Sequence, residues 1–228
     1  MQGTSQRIFR GLAGSYELSV ELATLFQDRR WKSWVAERTG ATAGPTLDVG
    51  CGTLLYESRV KDLRQVFVGL DLSREMIQVG RSKELGNVAL VVNGDAEALP
   101  FPEGAFGSVV SCYVAKYVRL PAFAAELARV TKEGGTAALY DFAKPRGVLA
   151  PFLELYIQAG LRGVGSLLKL ARRSSAYTYS NLPAIIEGST WDCGIVRAME
   201  GAGFQTLTTD RLTGGVVFAY AGRKTKST

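Results

Sequence analysis

Apolar residues along this chain follow two spacings, one typical of buried strands and the other typical of helices. Short apolar runs predict five strands, at residues 46–50, 65–73, 87–95, 106–114 and 136–142. Apolar residues at three- and four-residue spacing predict helices between them, after the first strand, at 74–85 and at 120–131. This alternation predicts a doubly wound α/β sheet of parallel strands. A ligand crevice is expected at the carboxyl ends of those strands.

The two flanks of this region differ from it. Residues 6–38 read as helical, and the glycines and proline of 40–45 end that helix. After residue 142 the alternation stops, and a segment rich in both apolar and basic residues runs to about residue 189. A helix at 192–201 then precedes two strands, 205–212 and 215–222, which predict an antiparallel hairpin.

The complete prediction is a Rossmann-like, doubly wound, seven-stranded mixed sheet with a C-terminal antiparallel hairpin and a helical lid insertion. With 228 residues, the chain is expected to form a single domain. Its predicted parts are an N-terminal helical cap (1–40), a cofactor-binding core (46–142), a helical lid (146–189) and the C-terminal helix and hairpin (190–228).

The composition limits the chemistry. Hydrophobic residues make up 46% of the chain and charged residues 21%, as in globular proteins. The chain has no histidine, which excludes a Ser-His-Asp triad, histidine acid–base catalysis and a histidine-ligated zinc site. Proton transfer must then fall to Asp, Glu, Tyr, Lys or Cys side chains, and no metal site is expected.

The cysteines and the apolar stretches predict a compartment. Cys51, Cys112 and Cys193 form no C-x-x-C pair and fit free thiols in a reducing environment. The mostly apolar stretch 148–161 contains Glu154 and is shorter than the roughly twenty residues that span a membrane. We therefore expect a soluble, cytoplasmic protein, and contact with a membrane surface stays open.

Positive charge is concentrated in the predicted lid. Of the net charge of +6, an excess of five lies between residues 142 and 186, where six bases accompany Glu154 alone. The apolar side chains of this lid could receive a polyprenyl tail while its bases meet anionic headgroups. These apolar candidates are Phe152, Leu153, Tyr156, Ile157, Leu161 and Leu168. A helical insertion packed on the core, or a homodimer contact, is the alternative.

A glycine turn follows the first strand. Gly50 and Gly52 allow the backbone to turn tightly and to approach a ligand closely. Asp48 would repel a dinucleotide pyrophosphate but suits a ligand that carries an ammonium and a sulfonium. Leu55 stands where a dinucleotide fingerprint has its third glycine. The turn therefore favours S-adenosylmethionine over NAD.

Two further acids end the next two strands. Asp71 can accept the ribose hydroxyls, and Asp95 can accept from the adenine amino group. Taken singly, Asp71 could be a helix cap and Asp95 a turn residue. Acids at three successive strand ends favour a pocket for S-adenosylmethionine.

The motifs together resemble the class I methyltransferases, in particular the ubiquinone/menaquinone biosynthesis C-methyltransferase family. The matching segments are LDVGCGT (47–53), VGLDLSREMI (68–77), GDAEALPFPEGAF (94–106), LYDFAKP (139–145) and AYTY (176–179). The resemblance implies an S-adenosylmethionine-dependent C-methyltransferase acting on a prenylated, demethylmenaquinol-like quinol. It also implies a set of cofactor-binding residues: Tyr16, Asp48, Gly50, Cys51, Gly52, Asp71, Leu72, Met76, Asp95, Ala96 and Cys112. Tyr16 would close over the cofactor.

This chain departs from the family near the expected acceptor. Leu54 and Gly107 replace a glycine and an acid of the family pattern, and Lys116 and Tyr117 replace an Arg-Asn pair. Candidate bases are Asp141, Tyr177 and Tyr179, and Lys116 is the candidate partner for an oxyanion. A cap for Asp141 and core packing for the tyrosines are the structural alternatives.

The sequence is also compatible with other functions. A methyltransferase of another lipid or small metabolite stays open, as does a non-catalytic S-adenosylmethionine-binding protein. The pI near 9.3 raises nucleic acid as a partner. The segment SCYVAKYV (111–118) lacks the proline-containing run of enzymes that methylate exocyclic amines, so no nucleic-acid partner is expected.

Overall fold

The computed structural model describes residues 13–39, 44–60, 65–148, 150–170 and 176–226. Seven strands form one sheet: β1 (Thr46–Val49), β2 (Phe67–Asp71), β3 (Val88–Asn93), β4 (Phe106–Cys112), β5 (Thr131–Phe142), β6 (Phe204–Leu212) and β7 (Val217–Lys224). The α-helices are α1 (Tyr16–Ala23), α2 (Asp28–Thr39), α3 (Arg74–Arg81), α4 (Leu120–Val130), α5 (Ala150–Leu170), α6 (Ala176–Gly188) and α7 (Trp191–Gly201).

The strand order is β3-β2-β1-β4-β5-β7-β6, which confirms the predicted mixed Rossmann-like sheet. The five strands β1 to β5 are parallel to one another, and β7 pairs antiparallel with both β5 and β6. The direction of the strand order changes between β1 and β4. A ligand crevice is expected there, at the carboxyl ends of the strands.

Helices cover both faces of the sheet, which explains why β1 and β4 are buried along their whole length. On one face, α2 contributes Trp31, Trp34 and Val35, and α5 and α6, which include most of the predicted lid segment, pack against the same core. On the other face, α4 and α7 form a second core around Phe123 and Ile195. The site therefore lies at the edge where both layers end.

The N-terminal region is not one continuous helix, contrary to the prediction for residues 6–38. Within the described part, α1 and α2 are separated by a turn in which Leu25 and Phe26 have φ of 46° and 61°. The Thr24 hydroxyl bonds the Val20 carbonyl and accepts from the Asp28 amide, so this turn directs Asp28 inward. Residues 6–12 lie outside the described residues.

Two further boundaries differ from the prediction. The helix expected after the glycine turn is only a 3₁₀ turn, Glu57–Arg59, in the described residues. Leu54, with φ of 58°, has a left-handed conformation that a regular helix does not tolerate. β5 begins at Thr131, earlier than predicted, because Gly134 and Gly135 lie inside the strand. Among the described helices, none is long and apolar enough to cross a membrane.

Candidate active site

The glycine turn lies at the switch point of the sheet. The amides of Gly50 and Cys51 donate to the Leu70 carbonyl at 2.7 and 3.0 Å, which fixes the turn against β2. Gly50 has φ of 83°, and a Cβ atom there would lie 2.2 Å from Cγ2 of Val114. Only glycine therefore fits at this position. The backbone N–H and C=O groups around it are left close to the crevice.

Asp71 ties the turn to the start of α3. Its two carboxylate oxygens accept from the amides of Gly52 at 2.8 Å and Ser73 at 2.7 Å. Burial raises the pKa of Asp71, and these amide donors partly offset that effect. The N-cap of α3 is Ser73, whose hydroxyl accepts from the Met76 amide. Asp71 is therefore not the helix cap that was considered as its alternative role.

Asp48 lies at the end of β1 beside Glu57, a residue that sequence reasoning did not select. The two side chains are 2% and 1% exposed. In the described part of the chain, Asp48 Oδ1 and both Glu57 carboxylate oxygens have no hydrogen-bond partner. Burial and mutual repulsion raise the pKa of Asp48 well above its usual value, and burial raises that of Glu57 to about 7. The crevice thus contains an acid pair without a compensating donor.

The other residues expected to bind the cofactor lie at the ends of β1 to β4 and on α1 and α3. Tyr16 begins α1, and its Cε1 lies 3.9 Å from where a Cβ on Gly52 would be. Leu72 follows Asp71 directly, and Met76 is buried in α3. Asp95 and Ala96 follow β3, where Asp95 Oδ1 accepts from the Glu97 amide in a tight turn. Cys51 and Cys112 are buried, and burial raises the pKa of both thiols.

These residues fit a cationic nucleoside ligand. A buried carboxylate is unfavourable unless it is paired with a cation or well hydrogen-bonded. The Asp48–Glu57 pair has neither within the described residues. S-adenosylmethionine carries an ammonium and a sulfonium and has no phosphate. The pair therefore fits this cofactor and not a dinucleotide.

Lys116 and Asp141, predicted for the acceptor side, form a buried ion pair. Lys116 Nζ is 2.5 Å from Asp141 Oδ1 and 3.0 Å from the Tyr113 carbonyl oxygen. Asp141 also accepts from the amides of Lys116 and Phe142. Burial lowers the pKa of Lys116 and raises that of Asp141, and their contact opposes both shifts. The pair joins the end of β5 to the Ala115–Tyr117 turn after β4.

Asp28 forms a second polar cluster that sequence reasoning missed. Its fully buried carboxylate accepts from Lys32 Nζ at 2.8 Å and from an Arg59 guanidinium nitrogen at 2.6 Å. The hydroxyls of Tyr113 and Tyr140 donate to the same carboxylate at 2.7 and 2.9 Å. This cluster anchors α2 to the ends of β4 and β5. The four-residue spacing of Asp28 and Lys32 was its only signal in the sequence.

Tyr113 occupies an unusual backbone position. It follows β4 directly, its φ is 66°, and its ring packs edge-on against Tyr140. A left-handed conformation is unfavourable for a tyrosine, so the surrounding contacts must hold it. Lys32 Nζ lies 5.4 Å and Lys116 Nζ 5.5 Å from the centroid of its ring. Tyr113 is therefore fixed between two buried ammonium groups.

An apolar recess adjoins the end of β5. It is lined by Ala23, Thr24, Trp31, Phe142, Leu161, Thr213 and Val216. Its polar side chains are satisfied within the protein, since Trp31 Nε1 donates to the Thr213 hydroxyl at 2.9 Å and Thr24 bonds the Val20 carbonyl. The recess is therefore apolar, but its volume of about 10 Å³ holds no more than about one water molecule, so an apolar group could enter only if α5, which contributes Leu161, moved outward. The side chains of Tyr177 and Tyr179 lie outside the described part of the protein, so their assignment stays a prediction.

Comparison with known proteins identifies the family. A methyltransferase domain family matches residues 47–139. The demethylmenaquinone methyltransferase of Tropheryma whipplei (strain Twist) is 30% identical over 217 residues, covering 93% of this chain and 88% of that protein. The ubiquinone/menaquinone biosynthesis C-methyltransferase UbiE of Desulfotalea psychrophila is 28% identical, covering 96% of this chain and 89% of that protein.

Solved structures share the fold. The complex of the Haloferax volcanii Trm112 methyltransferase activator with its putative methyltransferase contains a similar chain, with a TM-score of 0.62 at 17% identity over 95% of this chain and 99% of that chain. Geranyl diphosphate C-methyltransferase from Streptomyces coelicolor A3(2) has a TM-score of 0.57 at 15% identity, over 86% of this chain and 79% of that chain. Since the sequence match is nearly full-length and the crevice fits the cofactor, this chain belongs to the demethylmenaquinone methyltransferase family, whose members are S-adenosylmethionine-dependent methyltransferases.

Proposed function

We propose that the protein methylates a ring carbon of a prenylated, demethylmenaquinol-like quinol. The observation that carries this proposal is the buried ion pair of Lys116, after β4, and Asp141, near the end of β5, which lies beside the apolar ring of Phe142. A polar ring would lie beside Asp141 and Lys116, and an apolar tail would lie along Phe142 and Leu161 once α5 had moved outward, because the recess is too small for it otherwise. The names of the relatives support the same substrate class.

The cofactor side of the site holds and orients its ligand. When bound, S-adenosylmethionine supplies the methyl group as an electrophile. Asp71 and the Gly50–Gly52 turn would bind the nucleoside, and Tyr16 would cover it from α1. Alignment of the two reactants and exclusion of water provide most of what such a transfer needs from a protein.

The acceptor side must remove two protons. Loss of the hydroxyl proton makes the quinol ring carbon more nucleophilic, and after the carbon–carbon bond forms, the ring proton leaves to restore aromaticity. Lys116 can stabilise the developing oxyanion while its ion pair with Asp141 fixes its position. Asp141 can accept a proton only if one of its three donors is displaced or shared. Tyr177 remains the alternative proton acceptor.

We further propose that the lid meets the membrane that holds such a substrate. Val148, Phe152 and Leu155 are 94%, 73% and 65% exposed at the start of α5. Arg146 and Arg162 are also exposed in this segment. Exposed apolar side chains beside bases are suited to an anionic lipid surface, where each base contributes about 1 kcal/mol. A soluble protein with peripheral membrane contact is the proposed arrangement.

Methyl transfer to a defined quinol tests the proposed function. Purified protein is incubated with labelled S-adenosylmethionine and chemically reduced demethylmenaquinone, beside a total lipid extract, and products are identified by mass spectrometry. The Asp71→Ala variant should bind the cofactor more weakly, because it removes the acceptor at the ribose position. Glu103→Gln, a change at an exposed side chain, is the control and should leave both binding and transfer unaltered.

The outcomes separate the competing functions. Label on the quinone ring carbon supports the proposal. Label only on another component of the extract means a methyltransferase of a different lipid or metabolite. Cofactor binding without any transfer favours a binding-only protein and contradicts the proposal.

A further inference from the structure

The buried acid pair of Asp48, on β1, and Glu57, in the turn that follows, differs from the other buried acids of the site. Those acids have donors: Asp28 accepts from Lys32 and Arg59, and Asp141 accepts from Lys116. Among the described residues, Asp48 Oδ1 and both Glu57 oxygens have no hydrogen-bond partner, although both side chains are almost fully buried. Stability alone does not favour such a pair, because apolar residues there would avoid the desolvation penalty.

We propose that Glu57 and Asp48 together bind the ammonium group of S-adenosylmethionine, and that this ammonium displaces a proton that the two carboxyl groups share. The inference rests on the use of this cofactor and not on the identity of the methyl acceptor. It assigns a ligand-binding role to Glu57, which lies outside the Gly50–Gly52 turn and outside the motifs that carry the family resemblance.

Two adjacent carboxylates cannot hydrogen-bond to each other, since both are acceptors only. With one proton between them they form a carboxyl–carboxylate hydrogen bond, and the pair carries one negative charge. Burial is the largest cause of the raised pKa values of both Asp48 and Glu57, and the neighbouring Glu57 carboxyl raises that of Asp48 further. The cofactor-free protein therefore holds one proton on the pair near neutral pH.

The surrounding charged groups do not remove the proton from the Asp48–Glu57 pair. Lys32 and Lys83 favour the ionised pair from a distance, but Lys32 Nζ bonds Asp28 and Tyr140, and Lys83 bonds Glu17. Asp71 has the opposite effect, since its negative charge raises the pKa of Asp48. The remaining titratable groups that face the pair are Cys51, Tyr56 and Cys112, and burial raises the pKa of all three.

An ammonium group matches the empty acceptors of the pair. It carries three N–H donors and one positive charge, whereas a sulfonium has no hydrogen to donate. Binding can be written with protons and charge in balance: the singly protonated pair takes up the ammonium ion, becomes two carboxylates, and releases one proton to solvent. S-adenosylhomocysteine retains the ammonium and lacks the sulfonium, so it should release the same proton.

Calorimetry at pH 6.5 in buffers of different ionisation enthalpy measures this proton directly. The wild-type protein should release more than half a proton for each S-adenosylmethionine bound, and equally for S-adenosylhomocysteine. In Glu57→Gln, the amide can donate to an ionised Asp48, so release should fall close to zero. Affinity at pH 8 should fall at least tenfold, since one negative charge has been removed from the subsite. Glu103→Gln should match the wild type in both quantities.

Several results would overturn the inference. These are equal proton release by wild type and Glu57→Gln, an affinity change below threefold, or release with S-adenosylmethionine but not with S-adenosylhomocysteine. Thermal melting of cofactor-free Glu57→Gln at pH 8 distinguishes a structural role of Glu57 from a role in ligand binding. A lower midpoint with unchanged proton release would mean that Glu57 serves only folding. Methyl transfer by the wild-type protein tests the proposed function independently, since the calorimetric experiment contains no acceptor.

Discussion

The Asp28 cluster allows a quantitative test of what holds α2 onto the sheet. Asp28→Ala would remove the acceptor for Lys32, Arg59, Tyr113 and Tyr140 together. Arg59 would keep Glu21 as a partner, whereas the Lys32 side chain, 6% exposed, would keep only the hydroxyl of Tyr140. The variant therefore leaves a buried ammonium without a counter-charge.

The expected loss follows from that arrangement. Removing one partner of a buried ion pair costs about 3–5 kcal/mol. For a chain of this size the midpoint of thermal unfolding falls by about 2–4 °C per kcal/mol, so a decrease of roughly 6–20 °C is expected. Lys32→Met should cost less, about 1–3 kcal/mol, because Asp28 keeps Arg59 and both tyrosine hydroxyls.

Urea unfolding of the wild type, the two single variants and the double variant would measure the coupling. Asp28→Ala combined with Lys32→Met should lose less stability than the sum of the single changes, because the uncompensated charge is gone. Additive losses, or an Asp28→Ala loss below about 1 kcal/mol, would contradict the prediction of a buried, interacting pair.

The same cluster predicts a pH dependence. Burial by itself would raise the pKa of Asp28, but Lys32 and the hydrogen bonds from Lys32, Tyr113 and Tyr140 bring it below its usual value. A carboxyl whose pKa is lowered by folding stabilises the protein above its unfolded pKa, about 3.9, and loses that effect as pH falls through the folded value. The stability difference between wild type and Asp28→Ala should therefore be full at pH 6 and shrink below about pH 4. A difference that grows on acidification would refute this assignment.

Three further predictions concern the turn, the lid and the thiols. Gly50→Ala should abolish cofactor binding in calorimetry, because its Cβ would lie 2.2 Å from a Val114 methyl carbon, whereas Gly52→Ala, with 3.9 Å to its nearest neighbour, should retain measurable binding. Phe152→Ser should weaken flotation with vesicles containing phosphatidylglycerol, and Leu207→Ser, at another exposed apolar side chain, should not; equal flotation would contradict lid contact. An aromatic disulfide reagent should modify one thiol rapidly in the native protein, that of Cys193, and all three after unfolding, since the other two are buried; rapid reaction of a second native thiol would disagree with the structure.

The sheet and the cofactor crevice could be predicted from the sequence because both depend on short-range patterns. β1 and β2 are short, mostly apolar runs, and Asp48 and Asp71 lie at or next to the ends of these runs. Gly50 could be selected because a tight turn at a strand end needs positive φ. These signals lie within a few residues of one another, and no distant contact is needed to interpret them.

The contacts of Asp28 could not be predicted in this way. Its hydroxyl donors Tyr113 and Tyr140 are 85 and 112 residues away along the chain. The turn at Leu25 and Phe26 could not be predicted either, because the helical spacing of apolar residues continues through it and neither residue favours positive φ. At this point tertiary contacts outweigh the local preference for helix, because the turn places the Asp28 carboxylate in the protein interior with its hydrogen-bond donors.

Asp28 and Glu57 show why burial alone does not reveal the role of an acid. Asp and Glu side chains are usually exposed to solvent, yet both of these residues have 1% or less of their surface exposed. The fold supplies Asp28 with a lysine, an arginine and two tyrosine hydroxyls, so this carboxylate is complete without a ligand. It supplies Glu57 with no donor at either oxygen. An acid whose oxygens are hydrogen-bonded within the fold contributes to stability, so substitution of Asp28 should lower stability. An acid that lacks such donors requires a cation from a ligand, so Glu57→Gln should weaken cofactor binding and leave the protein folded.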